Sequence, residues 1–370
     1  MEETVIRVEP GGGSYDIRIG FGLLARVGEQ IKPLLTRPRA AVITDTTVAR
    51  LHLSSLEATL AKAGIDTPVF TVPAGEASKS WGELRNITGW MLDQRLERSD
   101  VVLAFGGGVV GDLVGFAAAI LRRGVRYVQI PTTLLAQVDS AIGGKTGINT
   151  ESGKNLVGAF HQPSLVLSDI SLLSSLPRRV FLSGYSEIVK YGLIRDAAFF
   201  EWLETMGAEF GADRPDAVAS AIRRSCEIKG QLVMADQYEH GERSLLNLGH
   251  TFGHALEAYA GYSDRLMHGE AVAIGCCLAY RLSAKLGLCS EQDAVRVKRH
   301  FQAMNMRTEI AEIPAPQPDP EELLQHMRQD KKVTDGRLRF VLPRGIGDAV
   351  LTQNVEAEEV TALLSASIRG

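Results

Sequence analysis

The sequence predicts an α/β protein in two parts: a mostly parallel, doubly wound sheet domain over residues 1–177 and a helix-dominated domain over residues 178–370. Between residues 40 and 170, short apolar runs rich in β-branched residues alternate with helical patterns. The runs are "AAVITD", "TPVFTV", "DVVLAFGG", "RYVQIP" and "SLVLSD"; the helical patterns include "SLEATLAKAG" and "VVGDLVGFAAAIL". Such alternation marks parallel strands joined by crossover helices. After Pro177 the strand runs nearly vanish, and "GYSEIVKYGLI", "AVASAIRRSCEIKGQLV" and "GEAVAIGCCLAYRLSAKLG" repeat their apolar residues with helical period. The proline-rich stretch 313–322 reads as a loop, "GRLRFVLPRGIGDAV" as a small hairpin, and the last residues as a helix. A length of 370 residues, 45% of them hydrophobic and 23% charged, suits two packed domains rather than a disordered chain.

Composition narrows the function. A formal charge of −4 gives no general attraction to nucleic acid or to an anionic membrane. The N-terminal residues "MEETVIRVEP" are acidic where a signal peptide would be basic, and the longest apolar run, "AVAIGCCLAY", is too short to span a bilayer. Cys226, Cys276, Cys277 and Cys289 form no C-x-x-C pair, which fits a reducing, cytoplasmic setting. On these grounds neither nucleic acid nor a membrane is an expected partner.

Three segments carry chemistry. The first, "VVLAFGGGVVGDLVG", runs from a strand through Gly106, Gly107 and Gly108 into a helix, so backbone N–H groups could meet a dinucleotide pyrophosphate. It departs from the usual G-x-G-x-x-G, and the acid suited to a ribose, Asp45, precedes the glycines instead of following them; a tight strand-to-helix turn explains the same letters. "PAGEASK" adds Glu76 and Lys79 in a loop after another strand. The second segment, residues 131–160, sets Asp139, Lys145, Asn149, Lys154 and Asn155 among glycines, which suits a phosphorylated or carboxylated ligand. The third is "LLNLGHTFGHALE". Were it one helix with Arg243, those 100° steps would bring Arg243, Asn247, His250, His254 and Glu257 within an arc of roughly 80°, with Leu245, Leu248, Phe252 and Leu256 opposite. A solvated helix face rarely uses such a set.

A catalytic divalent ion needs about three protein ligands. Glu187 in "GYSEIVKYG", His250, and His268 in "LMHGEAVAIG" are candidates, with Lys190 one turn beyond Glu187. There is no H-E-x-x-H motif, and a lone histidine is more often a hydrogen-bonded core residue, so spacing by itself supports the ion only weakly.

"GGGVVGD", "IPTTLLAQVDSAIGGKTGIN", "GKNLVGAF", "SEIVKYG", "LLNLGHTFGHALE" and "MHGEAVAIG", in this order over nearly the whole chain, resemble the 3-dehydroquinate synthases of the shikimate pathway, which are sugar phosphate cyclases. The resemblance implies a Rossmann-like N-terminal domain, a helical C-terminal domain, a homodimer, catalytic NAD and one Zn2+ or Co2+ ion per subunit. It makes Glu187, His250 and His268 the metal ligands. NAD would meet Asp45, Gly75, Glu76, Lys79, the stretch Gly108, Val109, Val110, Gly111 and Asp112, then Thr132 and Thr133, Lys145, Lys154, and Leu172, Leu173, Ser174 and Ser175.

For the substrate, the resemblance implies phosphate contacts from Asn155, Lys190, Asn247 and His254, from Lys332 (with Lys331 as the alternative), and from Arg123 of a second subunit. Asp139, Lys229 and Arg243 would take the carboxylate and hydroxyls, and Lys145 would lie beside nicotinamide and substrate. Lys145, Lys190, Lys229, Arg243, Asn247 and His254 are thereby the catalytic candidates. The reaction implied converts 3-deoxy-D-arabino-heptulosonate 7-phosphate to 3-dehydroquinate by transient oxidation, β-elimination of phosphate, re-reduction, ring opening and aldol closure. Ser186 and Ala141 depart from the common family wording by small-for-small changes. The rivals are a cyclase of sedoheptulose 7-phosphate, which lacks the carboxylate, and a metal-dependent polyol dehydrogenase, which would release NADH.

Overall fold

The structure is a computed structural model that describes residues 3–11, 13–211, 213–329 and 338–369. Its contacts divide the chain into two compact units, Met1–Pro177 with Ala212–Tyr238, and Arg178–Gly211 with Glu239–Gly370.

In the first unit the strands are β1 (Thr4–Val8), β2 (Tyr15–Gly20), β3 (Ala40–Asp45), β4 (Val69–Val72), β5 (Val101–Gly106), β6 (Arg126–Pro131), β7 (Lys145–Thr150), β8 (Gly153–Phe160) and β9 (Leu165–Asp169). Seven of them form one sheet in the order β1-β2-β9-β6-β5-β3-β4. All neighbours in it are parallel except β1 and β2. The expected doubly wound sheet is therefore present. β5 and β9 are buried along their whole length, as parallel strands covered on both faces must be. Alternate residues feed two cores: Ala41, Ile43, Val102 and Ala104 on one face, Ala40, Val42, Leu103 and Phe105 on the other.

Helix α1 (Ser54–Lys62) supplies Leu56 and Leu60 to the second core, while α2 (Trp81–Asp93) and α3 (Gly108–Ile120) supply Ile87, Met91, Leu113 and Val114 to the first. Chain order along the sheet reverses between β3 and β5, so Asp45 and Gly106 end neighbouring strands at the switch point where doubly wound folds bind ligands. Among the described residues, strands β7 and β8 pair only with each other, as an antiparallel hairpin whose Ile148, Val157 and Ala159 pack on the first core.

The sequence placed everything after Pro177 in a second domain, and here the fold differs. Within that stretch α6 (Pro215–Ala235), which follows α4 (Arg178–Arg195) and α5 (Ala197–Met206), packs against β1, β2 and the turn Ala136–Ser140 and belongs to the first unit. Its apolar stripe looks the same whichever partner it covers, but its Lys229 reaches Asp139.

The second unit is built on α4 and α8 (His268–Lys285), whose residues Ser183–Ile194 and Ala271–Tyr280 are buried on every side. Around them lie α5, α7 (His250–Tyr259), α9 (Glu291–Ala303), α10 (Pro320–Gln329), the expected hairpin β10 (Phe340–Gly345) and β11 (Asp348–Thr352), and α11 (Ala357–Arg369). Among the described residues no helix is long and apolar enough to cross a membrane.

His300 of α9 is buried, with Nε2 2.9 Å from the Tyr185 hydroxyl. Burial depresses its pKa to about 4, with Glu204 opposing and Arg296 assisting. A histidine whose folded pKa lies below the unfolded value of about 6.5 binds fewer protons when folded, so its contribution is complete above that pH and lost as pH falls toward 4. In His300→Gln, the fall of the urea midpoint between pH 6.5 and 4 is expected to be shallower than in wild type. Equal slopes would remove His300 from the acid response.

Candidate active site

In the second unit α4 carries Glu187 at its buried centre, with no exposure to solvent. Among the described residues neither carboxylate oxygen accepts a hydrogen bond, although the Lys190 ammonium, one turn on, forms an ion pair with Oε2. His250 Nε2 lies 3.6 Å and His268 Nε2 3.5 Å from Glu187 Oε1, too far for good hydrogen bonds. Ligand atoms bonded at about 2.1 Å to a tetrahedral ion stand about 3.4 Å from one another, so these separations fit a bridging cation. One ligand atom from each of the three residues falls within 4.8 Å of the others. Burial alone would lower the pKa of metal-free His268, but Glu257 and Glu187 outweigh it and raise the value. A buried carboxylate facing two imidazoles suits a borderline ion such as Zn2+.

The expected single helix through Arg243 and His254 is not what forms. Arg243 and Asn247 sit in a short 3-10 segment, Glu242–Asn247, the chain breaks at Leu248, and α7 starts at His250. Gly249 is the cause: it has φ +78°, and a Cβ there would come within 2.8 Å of Cys276 of α8. Arg243 is 1% exposed, Asn247 Nδ2 donates to Glu239 Oε1 at 2.8 Å, and the His254 ring stands edge-on 5.3 Å from that of His250. Glu257, in the same arc but given no role from sequence, is buried and accepts from His268 Nδ1 at 3.0 Å. Glu239 was also missed, having only its loop position as a signal. Ser186 keeps its hydroxyl satisfied on the Ser183 carbonyl at 2.9 Å.

In the first unit the glycine turn after β5 opens α3 with Gly107 at its N-cap; among the described residues no side chain caps it, so the first N–H groups remain available to an anion. A Cβ on Gly108 would stand 2.8 Å from the Ser140 hydroxyl. Behind this turn Lys79 Nζ is 2.6 Å from Asp112 Oδ2 and also bonds the Asn155 side chain. Burial raises the Asp112 pKa, and the Lys79 charge opposes it. Asn149 ties the group together, donating to Glu76 Oε1 at 2.8 Å and accepting from the Asn155 N–H at 3.0 Å, with Lys154 3.8 Å from Glu76. Thus Glu76, Lys79, Asp112, Lys154 and Asn155 share one network, and the uncapped helix end with its glycine cradle fits a dinucleotide.

The other site candidates of this unit are more scattered. Asp45 caps the next turn through the N–H groups of Thr47 and Val48, and Gly75 has φ +108°. Thr132 donates its N–H to Gly106, Thr133 accepts from Ala136, Leu172 and Leu173 are buried, and Ser174 and Ser175 bond their own turn. Gly111 and Val110 pack inward while Val109 is half-buried. Lys145 is exposed at the start of β7, and Lys229 pairs with Asp139 at 2.7 Å. Arg123 is exposed in a left-handed turn with Arg122 and Gly124. Lys331 and Lys332 fall outside the described residues.

Residues 69–183 match the 3-dehydroquinate synthase N-terminal family and residues 184–333 the 3-dehydroquinate synthase C-terminal family. The chain belongs to the 3-dehydroquinate synthase family. It is 59% identical over 369 residues to the 3-dehydroquinate synthase of Roseobacter denitrificans, with 100% of both chains covered. Against that of Cereibacter sphaeroides it is 56% identical over 368 residues, covering 100% of this chain and 99% of the relative. Among solved structures it resembles 2-epi-5-epi-valiolone synthase from Streptomyces hygroscopicus, which has NAD+ and Zn2+ bound; the TM-score is 0.88 and the identity 32%, with 98% of each chain covered. Membership makes the chain an enzyme.

Proposed function

We propose that the enzyme is a 3-dehydroquinate synthase, an NAD- and divalent-metal-dependent lyase that cyclises 3-deoxy-D-arabino-heptulosonate 7-phosphate to 3-dehydroquinate with release of phosphate. The observation that carries this reading is the 59% identity to a 3-dehydroquinate synthase over the full length of both chains. Glu187, His250 and His268 would hold Zn2+ or Co2+. Asp45, Glu76, Lys79, Asp112 and the cradle at Gly108 would hold NAD. When bound, these groups supply reversible hydride transfer at C5 and Lewis acidity at its oxygen.

The chain's own residues bind and orient. Buried Arg243 suits the substrate carboxylate, because a guanidinium in low dielectric gains from a planar, bidentate partner. Lys190, Asn247, His254 and Asn155 are assigned to the phosphate, and Asp139 with Lys229 to the hydroxyls. Once C5 is a ketone the neighbouring proton is acidic, and His254 or the phosphate itself removes it as phosphate leaves. The aldol closure chiefly needs the opened chain held in a near-attack shape, which several cations on one small dianion achieve. Arg123 is assigned to the phosphate of a neighbouring subunit, which makes a homodimer part of the proposal. A reducing, cytoplasmic setting is supported by four cysteines that are all thiols.

The test is phosphate release from the heptulosonate 7-phosphate, with NAD+ and metal each supplied or withheld and sedoheptulose 7-phosphate in parallel. Phosphate and dehydroquinate are expected together, without net NADH and only with both cofactors. Turnover of sedoheptulose 7-phosphate alone would overturn the substrate assignment, and accumulating NADH would make the protein a dehydrogenase.

A further inference from the structure

We propose that Glu257 is a positioning residue for the metal set: its carboxylate holds His268 in the tautomer that leaves Nε2 free to ligate. The assignment rests on reading Glu187, His250 and His268 as the ligands. A neutral imidazole carries one ring proton, and only the other nitrogen can offer a lone pair to a cation. Glu257 is 3% exposed, and its Oε2 lies 3.0 Å from His268 Nδ1. An ionised carboxylate accepts and cannot donate, so it demands the proton on Nδ1 and leaves the lone pair on Nε2, the atom 3.5 Å from Glu187 Oε1. The charged acceptor also makes the imidazole more electron-rich toward an ion.

His250 reaches the same tautomer by another route. Its Nδ1 lies 3.1 Å from the Leu248 carbonyl oxygen, a group that points to the ring because the chain turns at Gly249 instead of continuing as helix. The two imidazoles thus present Nε2 to one carboxylate oxygen, one held by a backbone kink and the other by Glu257. A competing arrangement exists, since His254, Glu257 and His268 also bring ligand atoms within 4.8 Å of each other. In that arrangement Glu257 would be a ligand itself. Its hydrogen bond to His268 Nδ1 argues for the first reading, because both atoms are already engaged with each other.

The experiment measures Zn2+ affinity, by competition with a chromophoric chelator, and the ligand-field spectrum of the Co2+-loaded protein. The variants are Glu257→Gln, Glu257→Ala, His250→Ala and His268→Ala, and the urea midpoint of each metal-free protein is the folding control. Glu257→Ala is expected to bind Zn2+ about 10- to 100-fold more weakly. Glu257→Gln, nearly isosteric and still able to accept from Nδ1, is expected to lose less affinity, to shift the Co2+ bands and to keep the metal-free midpoint. His250→Ala and His268→Ala are expected to lose the ion. Wild-type affinity and spectrum in both Glu257 variants, with the ion lost in His268→Ala, would overturn the positioning role and leave the ligand set standing. An ion retained at wild-type affinity in His268→Ala would instead overturn the ligand set. Loss as complete in Glu257→Gln as in His268→Ala, with the ion kept in His250→Ala, would make Glu257 a ligand and overturn the proposal.

Discussion

His250→Ala is expected to lose its divalent ion and, with it, on the order of 10³-fold in kcat, the equivalent of several kcal/mol of charge stabilisation. The reason is geometric. Glu187 has both oxygens buried and, among the described residues, faces two imidazoles and one ammonium, and removing His250 leaves a carboxylate, one imidazole and a void where the third donor stood. Lys190 would then neutralise Glu187 more completely, which weakens the pull on any cation. Metal content by atomic emission and phosphate release on the same sample check this. His254→Ala is the companion measurement, because its ring lies 5.3 Å from that of His250 but outside the Glu187 set. It is expected to keep the ion while losing turnover. A fully active, metal-replete His250→Ala protein would sink the ligand assignment.

How much of this was legible depends on whether the information is local. Strands β3, β5, β6 and β9 are short apolar runs because both their faces are buried, and a run of letters records that directly. Strands β1 and β2 escaped because β1 is half-exposed at the sheet edge and its alternation "TVIRV" is brief. Hairpin β7–β8 escaped for a different reason: its glycines and polar residues interrupt the apolar run that marks a buried strand. The pattern in "LLNLGHTFGHALE" singled out Asn247, His250, His254 and Glu257, yet it could not announce the break at Gly249, which has φ +78° and packs where a Cβ would meet Cys276 of another helix. Lys79, Asp112 and Asn155 meet across 33 and 76 positions of sequence, and only the folded sheet brings such distances to one point. The unit to which α6 belongs was likewise hidden, since an amphipathic stripe does not name the surface it covers.

Gly269→Ala is expected to destabilise the second unit by roughly 3 kcal/mol and to abolish tight metal binding, even though alanine is the better helix former. Gly269 is the second residue of α8, where an ordinary Gly-to-Ala change would gain about 1 kcal/mol of helix propensity. Here the added Cβ would lie 2.1 Å from the Ser183 carbonyl oxygen and 2.4 Å from its Cα. Those atoms are backbone of α4, so no rotamer change relieves the clash and the two helices must separate. The Gly269 N–H also donates to Ser183 Oγ at 3.0 Å, a bond that separation would stretch.

His268 precedes Gly269, and Glu187 lies one helical turn beyond Ser183, so the same close approach sets the 3.5 Å between Glu187 Oε1 and His268 Nε2. Ligand distances must hold to about 0.2 Å for a strong site, and a displacement large enough to clear the methyl group exceeds that several times over. Gly287→Ala serves as the control, for Gly287 has φ +71° with open space around its Cα, and only left-handed strain of about 1 kcal/mol is expected there. Urea midpoints and Zn2+ affinities of the two variants decide the matter. If Gly269→Ala matched Gly287→Ala in both, the α4–α8 contact would not be what holds the ligands in place.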